Sequence, residues 1–158
     1  MKTCDLAIIG SGPAGYVAAL YATGRGVKTC VVEKGPIGGT CLNKGCIPAK
    51  VLLNSASIAV EIKESGIHGI NVSGYSIDFS AISKRRDDVV SRLRAGVETL
   101  FRAKGVELIR GEAKLKGGGK IEVEGAGELT AGNIIVASGS SPSHIDGIQI
   151  DEKDVLTS

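Results

Sequence analysis

The sequence predicts an α/β domain in which helices flank a mainly parallel β-sheet. An apolar run at residues 6–9 is followed by a glycine-rich turn at 10–15 and a helical pattern at 16–22. A second apolar run at 27–32 follows that helix, and the order strand, helix, strand is typical of parallel sheets. Further along, short segments of alternating polarity separated by glycines indicate a small antiparallel β-meander.

Composition narrows the class of protein. Hydrophobic residues make up 42% of the 158-residue chain, charged residues 23%, and the net charge is only +2. This balance argues against a nucleic-acid partner, and 3% aromatic residues provide no base-stacking platform. The sequence contains no run of about 18 consecutive apolar residues, so no membrane span is predicted. The N-terminus leads directly into the first strand, which predicts a cytoplasmic protein without a signal or transit peptide. In the cytoplasm a disulfide is more often catalytic than structural.

The glycine-rich turn has the pattern of a dinucleotide-binding fingerprint. In Gly10-Ser11-Gly12-Pro13-Ala14-Gly15 the first glycine allows the tight turn, the second lets a pyrophosphate approach, and the third lets helix and strand pack closely. Glu33 ends the second strand about twenty residues later, where a carboxylate can bind both ribose hydroxyls. Because that carboxylate would repel a 2′-phosphate, we expect FAD or NAD rather than NADP. A glycine turn without a ligand is the alternative.

A second motif predicts a redox-active pair of thiols. Cys41 and Cys46 lie five positions apart in a glycine-rich loop that leads into a helix. The flanking glycines can bring the sulfurs together, and a helix N-terminus favours the thiolate of Cys46. Lys50 adds a positive charge nearby. This pattern indicates a reversible dithiol/disulfide pair, with a structural disulfide or two unpaired thiols as the alternative.

The other two cysteines fall among apolar residues. Cys4 and Cys30 lie in the first two strands, which predicts small buried side chains. The spacing of the four cysteines differs from that of zinc ligands, so no metal site is predicted.

The remaining elements follow from periodicity and turn residues. We expect a helix from Cys46 or Pro48 to about Glu64, a loop at 66–78, and an amphipathic helix at 80–104 capped by Ser80 and ended by Gly105. A strand at 106–109 is expected in the parallel sheet, meander strands at 113–116, 121–124 and 128–130, and a final strand at 134–137 that returns to the centre.

These motifs together resemble the N-terminal FAD-binding part of the flavin disulfide reductases, the class I pyridine nucleotide-disulfide oxidoreductases. Residues 38–48, Gly-Gly-Thr-Cys-Leu-Asn-Lys-Gly-Cys-Ile-Pro, are most similar to the dihydrolipoamide dehydrogenase group. Leu42 and Ile47 stand where glutathione and mercuric reductases usually have valines. Residues 134–142 are similar to the family's ATGS-x-P strand and turn, with Ser138 in place of threonine, and Ala49 replaces a common serine.

The resemblance implies a Rossmann-like FAD-binding domain whose first segment is residues 1–158 of a longer protein. An NAD-binding domain, a second FAD segment, a dimerisation domain and a His–Glu acid/base pair would then lie outside this chain. It also implies a homodimer and, as partner, the lipoyl domain of a 2-oxo acid dehydrogenase or glycine cleavage complex. No membrane partner is expected.

The resemblance further implies that electrons pass from dihydrolipoamide through Cys41 and Cys46 to FAD and then to NAD. Cys41, expected to be the more exposed sulfur, would exchange with the substrate; Cys46 would face the flavin, with Lys50 near its N5. The implied cofactor-binding residues are Gly10, Gly12, Pro13, Ala14, Gly15, Glu33, Lys34, Gly38, Gly39, Thr40, Cys41, Gly45, Cys46, Lys50, Gly111, Ala113, Ala137, Ser138 and Gly139. The alternatives are another flavin disulfide reductase, acting on glutathione or mercuric ion, and an FAD-binding fragment without turnover.

Overall fold

The computed structural model describes residues 2–143 and 145–157. The strands are β1 (Lys2–Ile9), β2 (Thr29–Glu33), β3 (Glu107–Arg110), β4 (Ala113–Gly117), β5 (Lys120–Val123) and β6 (Gly127–Val136). The helices are α1 (Pro13–Gly24), α2 (Gly39–Asn43), α3 (Cys46–Glu64) and α4 (Phe79–Lys104), with one 3₁₀ turn at Ser65–His68 that occupies the start of the predicted loop.

The strands form a mixed six-stranded sheet in the order β3-β2-β1-β6-β5-β4. Strand β1 lies between β2 and β6, and all the pairings among β3, β2, β1 and β6 are parallel. The carboxyl ends of β1, β2 and β6 therefore meet at one edge, where open parallel sheets bind ligands. This confirms the predicted α/β class and sheet.

The meander and the parallel sheet are joined through one strand rather than two. We expect separate strands at 128–130 and 134–137, but β6 runs unbroken through both. Its first half pairs antiparallel with β5, and nearly its whole length pairs parallel with β1. The strand continues through Gly132, where β6 and β1 lie very close together. A Cβ at this position would be only 3.1 Å from the carbonyl oxygen of Asp5, so the missing side chain of glycine permits the close approach.

The apolar core has one cluster on each face of the sheet. Val31 and Val32, adjacent in β2, belong to opposite clusters, as the two-residue period of a strand requires. Ala19 of α1 and Phe101 of α4 join the cluster on the Val31 side. On the other side, Cys4 and Cys30 are 7% and 0% exposed, which confirms the prediction that both are buried.

Helix α3 packs beside α4 at the edge of the domain, and none of its residues is buried. By length and composition alone, the helical stretch Gly39–His68 could cross a membrane, with a mean hydropathy of 1.3 and none of the window buried. One such helix is weak evidence for a membrane protein, and the absence of a span stays a prediction.

The start of α4 differs from the sequence prediction. Asp78, not Ser80, is the N-cap, because its carboxylate accepts a hydrogen bond of 3.0 Å from the backbone N–H of Ala81. Ser80 lies two residues further along and is already helical. Gly105 ends the helix in the left-handed conformation with φ +73°, as predicted.

Replacing the cap should destabilise the domain selectively. Asp78→Ala removes the acceptor for an otherwise unpaired helix N–H, so the free energy of unfolding should fall by about 1 kcal/mol. Ser80→Ala, the matched control, should change it little, since alanine is favourable inside a helix. Urea denaturation of both variants measures the difference, and an equal loss for Ser80→Ala would contradict the capping assignment.

Candidate functional site

A cleft of about 1510 Å³ lies at the carboxyl edge of the sheet. Five segments that are distant in sequence meet there: the turn after β1, the end of β2, α2, the start of β4, and the chain after β6. Fourteen of the predicted cofactor-binding residues line it: Gly10, Gly12, Pro13, Ala14, Glu33, Lys34, Gly39, Thr40, Cys41, Gly111, Ala113, Ala137, Ser138 and Gly139. The fold thus brings most of the predicted site into one continuous surface.

The other predicted residues lie behind or beside this cleft. Those outside its lining are Gly15, Gly38, Gly45, Cys46 and Lys50. Gly15 packs α1 onto the turn, because a Cβ there would lie 1.9 Å from the carbonyl oxygen of Gly10. Gly38 and Gly45 are the N-cap residues of α2 and α3. These two glycines begin the helices that contain Cys41 and Cys46.

The floor of the cleft is bare backbone. Gly10 has φ +99°, and a Cβ there would lie 2.2 Å from the carbonyl oxygen of Ala137. Gly39 has φ +61°, and its Cβ would lie 2.6 Å from Cα of Gly12. Three segments therefore meet without side chains between them at the N-terminus of α1. A phosphate can approach such a surface closely and meet the positive end of the helix dipole.

Glu33 lies at the edge of the same cleft, held by hydrogen bonds to its carboxylate. Oε2 accepts from the backbone N–H and the hydroxyl of Ser11 at 2.8 and 2.6 Å, and Oε1 accepts from the N–H of Gly35 at 2.7 Å. Burial raises the pKa of Glu33, but the hydrogen bonds from Ser11 and Gly35 and the charge of Arg110 outweigh burial, so the net pKa is lowered. The carboxylate is therefore ionised and oriented, as ribose binding requires.

The two predicted redox thiols lie next to each other. Cys41 is within α2 and Cys46 is the first residue of α3; both are free thiols in this structure. The hydrogen bond with the Cys46 side chain raises the pKa of Cys41, as does burial. The backbone N–H of Cys46 and the charge of Lys50 act in the opposite direction. The structure therefore brings Cys41, Cys46 and Lys50 together in the reduced, dithiol form.

The relative exposure of the two sulfurs differs from the expectation. Cys41 is half-buried and lines the cleft, whereas Cys46 is exposed. The physical reason is that Cys46 is the first residue of α3, a helix in which no residue is buried. The prediction that Cys41 is the more exposed sulfur is therefore wrong for this chain.

Cys4 and Cys30 form a second pair in very different surroundings. Burial raises the pKa of Cys30 strongly, and contact with Cys4 and with the carboxylate of Glu107 raises it further. The thiol of Cys30 is thus held protonated inside the core. Among the residues the structure describes, no group of three His, Cys, Asp or Glu side chains could hold a metal ion.

Several residues of the site were not identified from the sequence. Ser11 is fully buried and orients Glu33; its position inside the glycine motif was the available signal. Asn43 donates to the carbonyl oxygens of Gly39 and Ile37 at 2.8 and 3.0 Å and accepts from Nε of Arg94. No local pattern marks Arg94, because its partner is 51 residues away.

Alkylation of the reduced chain should separate the two cysteine pairs. Iodoacetamide should modify Cys41 and Cys46 but leave Cys4 and Cys30 unmodified until denaturant is added, since the first two are accessible and the other two are buried. Lys50→Met removes a charge that favours the Cys41 thiolate, so the midpoint pH for modifying Cys41 should rise. Peptide-resolved mass spectrometry across a pH series measures both effects.

The matched control is Lys63→Met, in the last turn of the same helix. It should leave the midpoint unchanged. Equal midpoints for wild type and Lys50→Met, or rapid labelling of Cys30, would contradict this description of the thiols.

These features fit an extended flavin dinucleotide. A glycine-floored helix N-terminus suits the pyrophosphate, the fixed carboxylate of Glu33 suits a ribose, and Cys41 lies on the same surface with Cys46 beside it.

Comparison with known proteins agrees with this chemistry. Residues 4–158 match the family described as pyridine nucleotide-disulphide oxidoreductase. The chain is 46% identical to a dihydrolipoyl dehydrogenase of Chlorobaculum parvum over 98% of this chain and 34% of the relative. It is 42% identical to dihydrolipoyl dehydrogenase 1, mitochondrial, of Arabidopsis thaliana (98% and 32%) and 40% identical to dihydrolipoyl dehydrogenase of Bacillus subtilis (98% and 35%).

The chain therefore spans about a third of the length of these curated relatives. The match nonetheless covers nearly all of this chain, and it includes both the glycine turn and the thiol pair. It implies FAD and NAD as cofactors of the protein. On this evidence the chain belongs to the pyridine nucleotide-disulphide oxidoreductase family, whose N-terminal, FAD-binding part it forms.

Proposed function

We propose that the whole protein is a dihydrolipoamide dehydrogenase that oxidises dihydrolipoamide and reduces NAD. The observation that carries the proposal is the contact between the thiols of Cys41 and Cys46 beside a dinucleotide cleft that Cys41 itself lines. Similarity to three proteins named dihydrolipoyl dehydrogenase supports the choice of substrate. Leu42 and Ile47 also favour it over glutathione or mercuric ion.

The chain's own residues would perform the first half-reaction. One thiolate of dihydrolipoamide attacks a sulfur of the Cys41–Cys46 disulfide, forming a mixed disulfide and releasing the other cysteine as thiolate. The second substrate thiolate then attacks the substrate sulfur of the mixed disulfide, which closes lipoamide's ring and releases the second cysteine. Two electrons now reside on the protein dithiol. By resemblance, Cys41 exchanges with substrate and Cys46 faces the flavin.

The remaining residues of the site would hold the cofactor. The carboxylate of Glu33 binds the ribose hydroxyls, and the backbone at Gly10–Gly15 binds the pyrophosphate at the start of α1. FAD held there would supply the acceptor for the two electrons and the hydride for NAD. Lys50 stabilises negative charge that develops at the thiols.

The setting of the enzyme is part of the proposal. We infer a cytoplasmic homodimer that receives electrons from the lipoyl domain of a 2-oxo acid dehydrogenase or glycine cleavage complex, with a role in redox homeostasis. The Arabidopsis relative is named as mitochondrial, so the compartment differs among relatives. This chain spans only about a third of the length of those relatives, which favours a second candidate function. In that case the chain alone is an FAD-binding unit without full turnover.

Removing the carboxylate should weaken cofactor binding. Glu33→Ala should cost roughly 1.5–3 kcal/mol of FAD affinity, the range for a hydrogen bond to a charged group. Glu112→Ala is the matched control: it removes an exposed carboxylate of the same cleft that pairs with Lys34 at 3.7 Å, and should change affinity little. Calorimetric titration with FAD measures both, and equal affinity for wild type and Glu33→Ala would remove Glu33 from the site.

The two half-reactions should separate in this chain. Dihydrolipoamide should reduce the Cys41–Cys46 disulfide of the FAD-loaded chain, because both sulfurs are present. NAD added afterwards should not be reduced, because hydride transfer needs the nicotinamide held against the flavin and the sequence has a single dinucleotide fingerprint. Stopped-flow absorbance follows each step.

Single-cysteine variants assign the roles of the sulfurs. With Cys46→Ser, rapid mixed-disulfide formation at Cys41 supports Cys41 as the exchanging thiol; faster trapping at Cys46 in Cys41→Ser would reverse the assignment. Rapid NADH formation by the 158-residue chain would contradict the second candidate, and an unreactive disulfide would contradict the proposed function.

A further inference from the structure

Helix α4 contacts the chain segment that joins the ribose-binding carboxylate to the thiol pair. This connecting segment, residues 35–43, leaves β2 after Glu33 and ends with α2, which contains Cys41. Arg94 and Glu98 lie four residues apart on α4, so they share one face of that helix. Each makes a connection to one end of the connecting segment.

Arg94 is tied to the end nearest the thiols. Its Nε donates a hydrogen bond to Oδ1 of Asn43, the last residue of α2. The amide of Asn43 in turn donates to the carbonyl oxygens of Gly39 and Ile37 at 2.8 and 3.0 Å. The Asn43 side chain therefore links the last residue of α2 to the start of that helix. Arg94 connects this hydrogen-bonded turn to α4.

Glu98 is tied to the other end through Arg110. The Arg110 guanidinium pairs with Glu98 at 3.0 Å and donates to the carbonyl oxygen of Gly35 at 2.6 Å. The N–H of Gly35 donates to Glu33. One face of α4 thus restrains the connecting segment at both ends.

The surroundings of Arg94 set it apart from an ordinary surface arginine. It is half-buried and lines the cleft, and in the described part of the chain it forms no salt bridge, unlike Lys84 and Arg86 on the same helix. Its bond joins elements that are 51 residues apart in sequence. A bond of this kind limits how α2 can move relative to α4, the helix against which α3 also packs.

We propose that Arg94 is a positioning residue for the redox pair: through Asn43 it holds α2 so that the sulfur of Cys41 stays beside that of Cys46. The inference rests on the proposed function, for which these sulfurs form the exchanging disulfide. Restraint of the dithiol reduces the freedom lost when the disulfide closes. Arg94 therefore raises the effective concentration of one thiol for the other.

The equilibrium with glutathione tests this without flavin or NAD. Oxidised glutathione converts the dithiol to the intramolecular disulfide and leaves two molecules of reduced glutathione, so electrons and protons balance. Arg94→Met keeps the length of the side chain but removes the donor. It should lower the equilibrium constant for disulfide formation by roughly tenfold. Arg94→Lys, which retains a donor, should recover part of that loss.

Arg92→Met is the matched control, because Arg92 is exposed and its Nε contacts only the carbonyl oxygen of Asp88 within α4, at 3.4 Å. It should leave the constant unchanged. In a cycle with Asn43→Ala, the effect of Arg94→Met should largely disappear, since Arg94 acts through Asn43. Acid-quenched alkylation and mass spectrometry measure the disulfide fraction.

Three outcomes would overturn the inference. They are an unchanged constant in Arg94→Met, an equal effect of Arg92→Met, and additive effects of Arg94→Met and Asn43→Ala. If Arg94→Met does not fold, an unchanged constant in Asn43→Ala also overturns it, because Arg94 acts on α2 only through Asn43. If the wild-type chain forms no Cys41–Cys46 disulfide, the proposed function is contradicted as well. If the wild type forms the disulfide and the Arg94 variants do not change its equilibrium constant, only this inference is contradicted.

Discussion

The site depends on the close approach of bare backbone segments at the carboxyl edge of the sheet. Gly10 contacts the carbonyl of Ala137, and Gly39 contacts Gly12, at separations that no Cβ would permit. These contacts bring the turn after β1, the chain after β6 and the start of α2 onto one floor. Any larger side chain at Gly10 or Gly39 would both clash and force an unfavourable φ. The cleft and the position of the thiols follow from that approach.

Polar contacts then fix the ends of the cleft relative to that floor. Ser11, inside the glycine turn, donates twice to Glu33, so the turn and the end of β2 are oriented together. Arg110 and Arg94 connect the following segment to β3 and α4. Backbone packing thus sets where the cofactor can lie, and these side chains set how far the carboxylate is from the thiols.

Features that rest on neighbouring residues could be predicted from the sequence, and features that rest on distant partners could not. The glycine turn, the boundaries of α3 and the proximity of Cys41 to Cys46 each follow from a local pattern. The unbroken course of β6 does not, because it depends on pairing with β1, more than a hundred residues away in sequence, which passes close to Gly132 at Asp5. The link from Arg94 to Asn43 depends on how α4 packs against α2. The cap of α4 is an exception, because Asp78 and Ser80 are both good capping residues and the hydrogen bond from Ala81, only three residues on, selects Asp78.

The two cysteine pairs illustrate why residue type alone does not determine redox chemistry. In each pair the thiols contact one another, so proximity does not distinguish them. Cys4 and Cys30 lie inside the sheet core, where burial, contact with Cys4 and the carboxylate of Glu107 raise the pKa of Cys30. The pKa of Cys41 is also raised, chiefly by the Cys46 side chain, although the backbone N–H of Cys46 and the charge of Lys50 act to lower it. The pairs therefore differ in access: Cys4 and Cys30 are buried, whereas Cys41 lines the cleft and Cys46 is exposed, so an exchange partner can reach only the second pair.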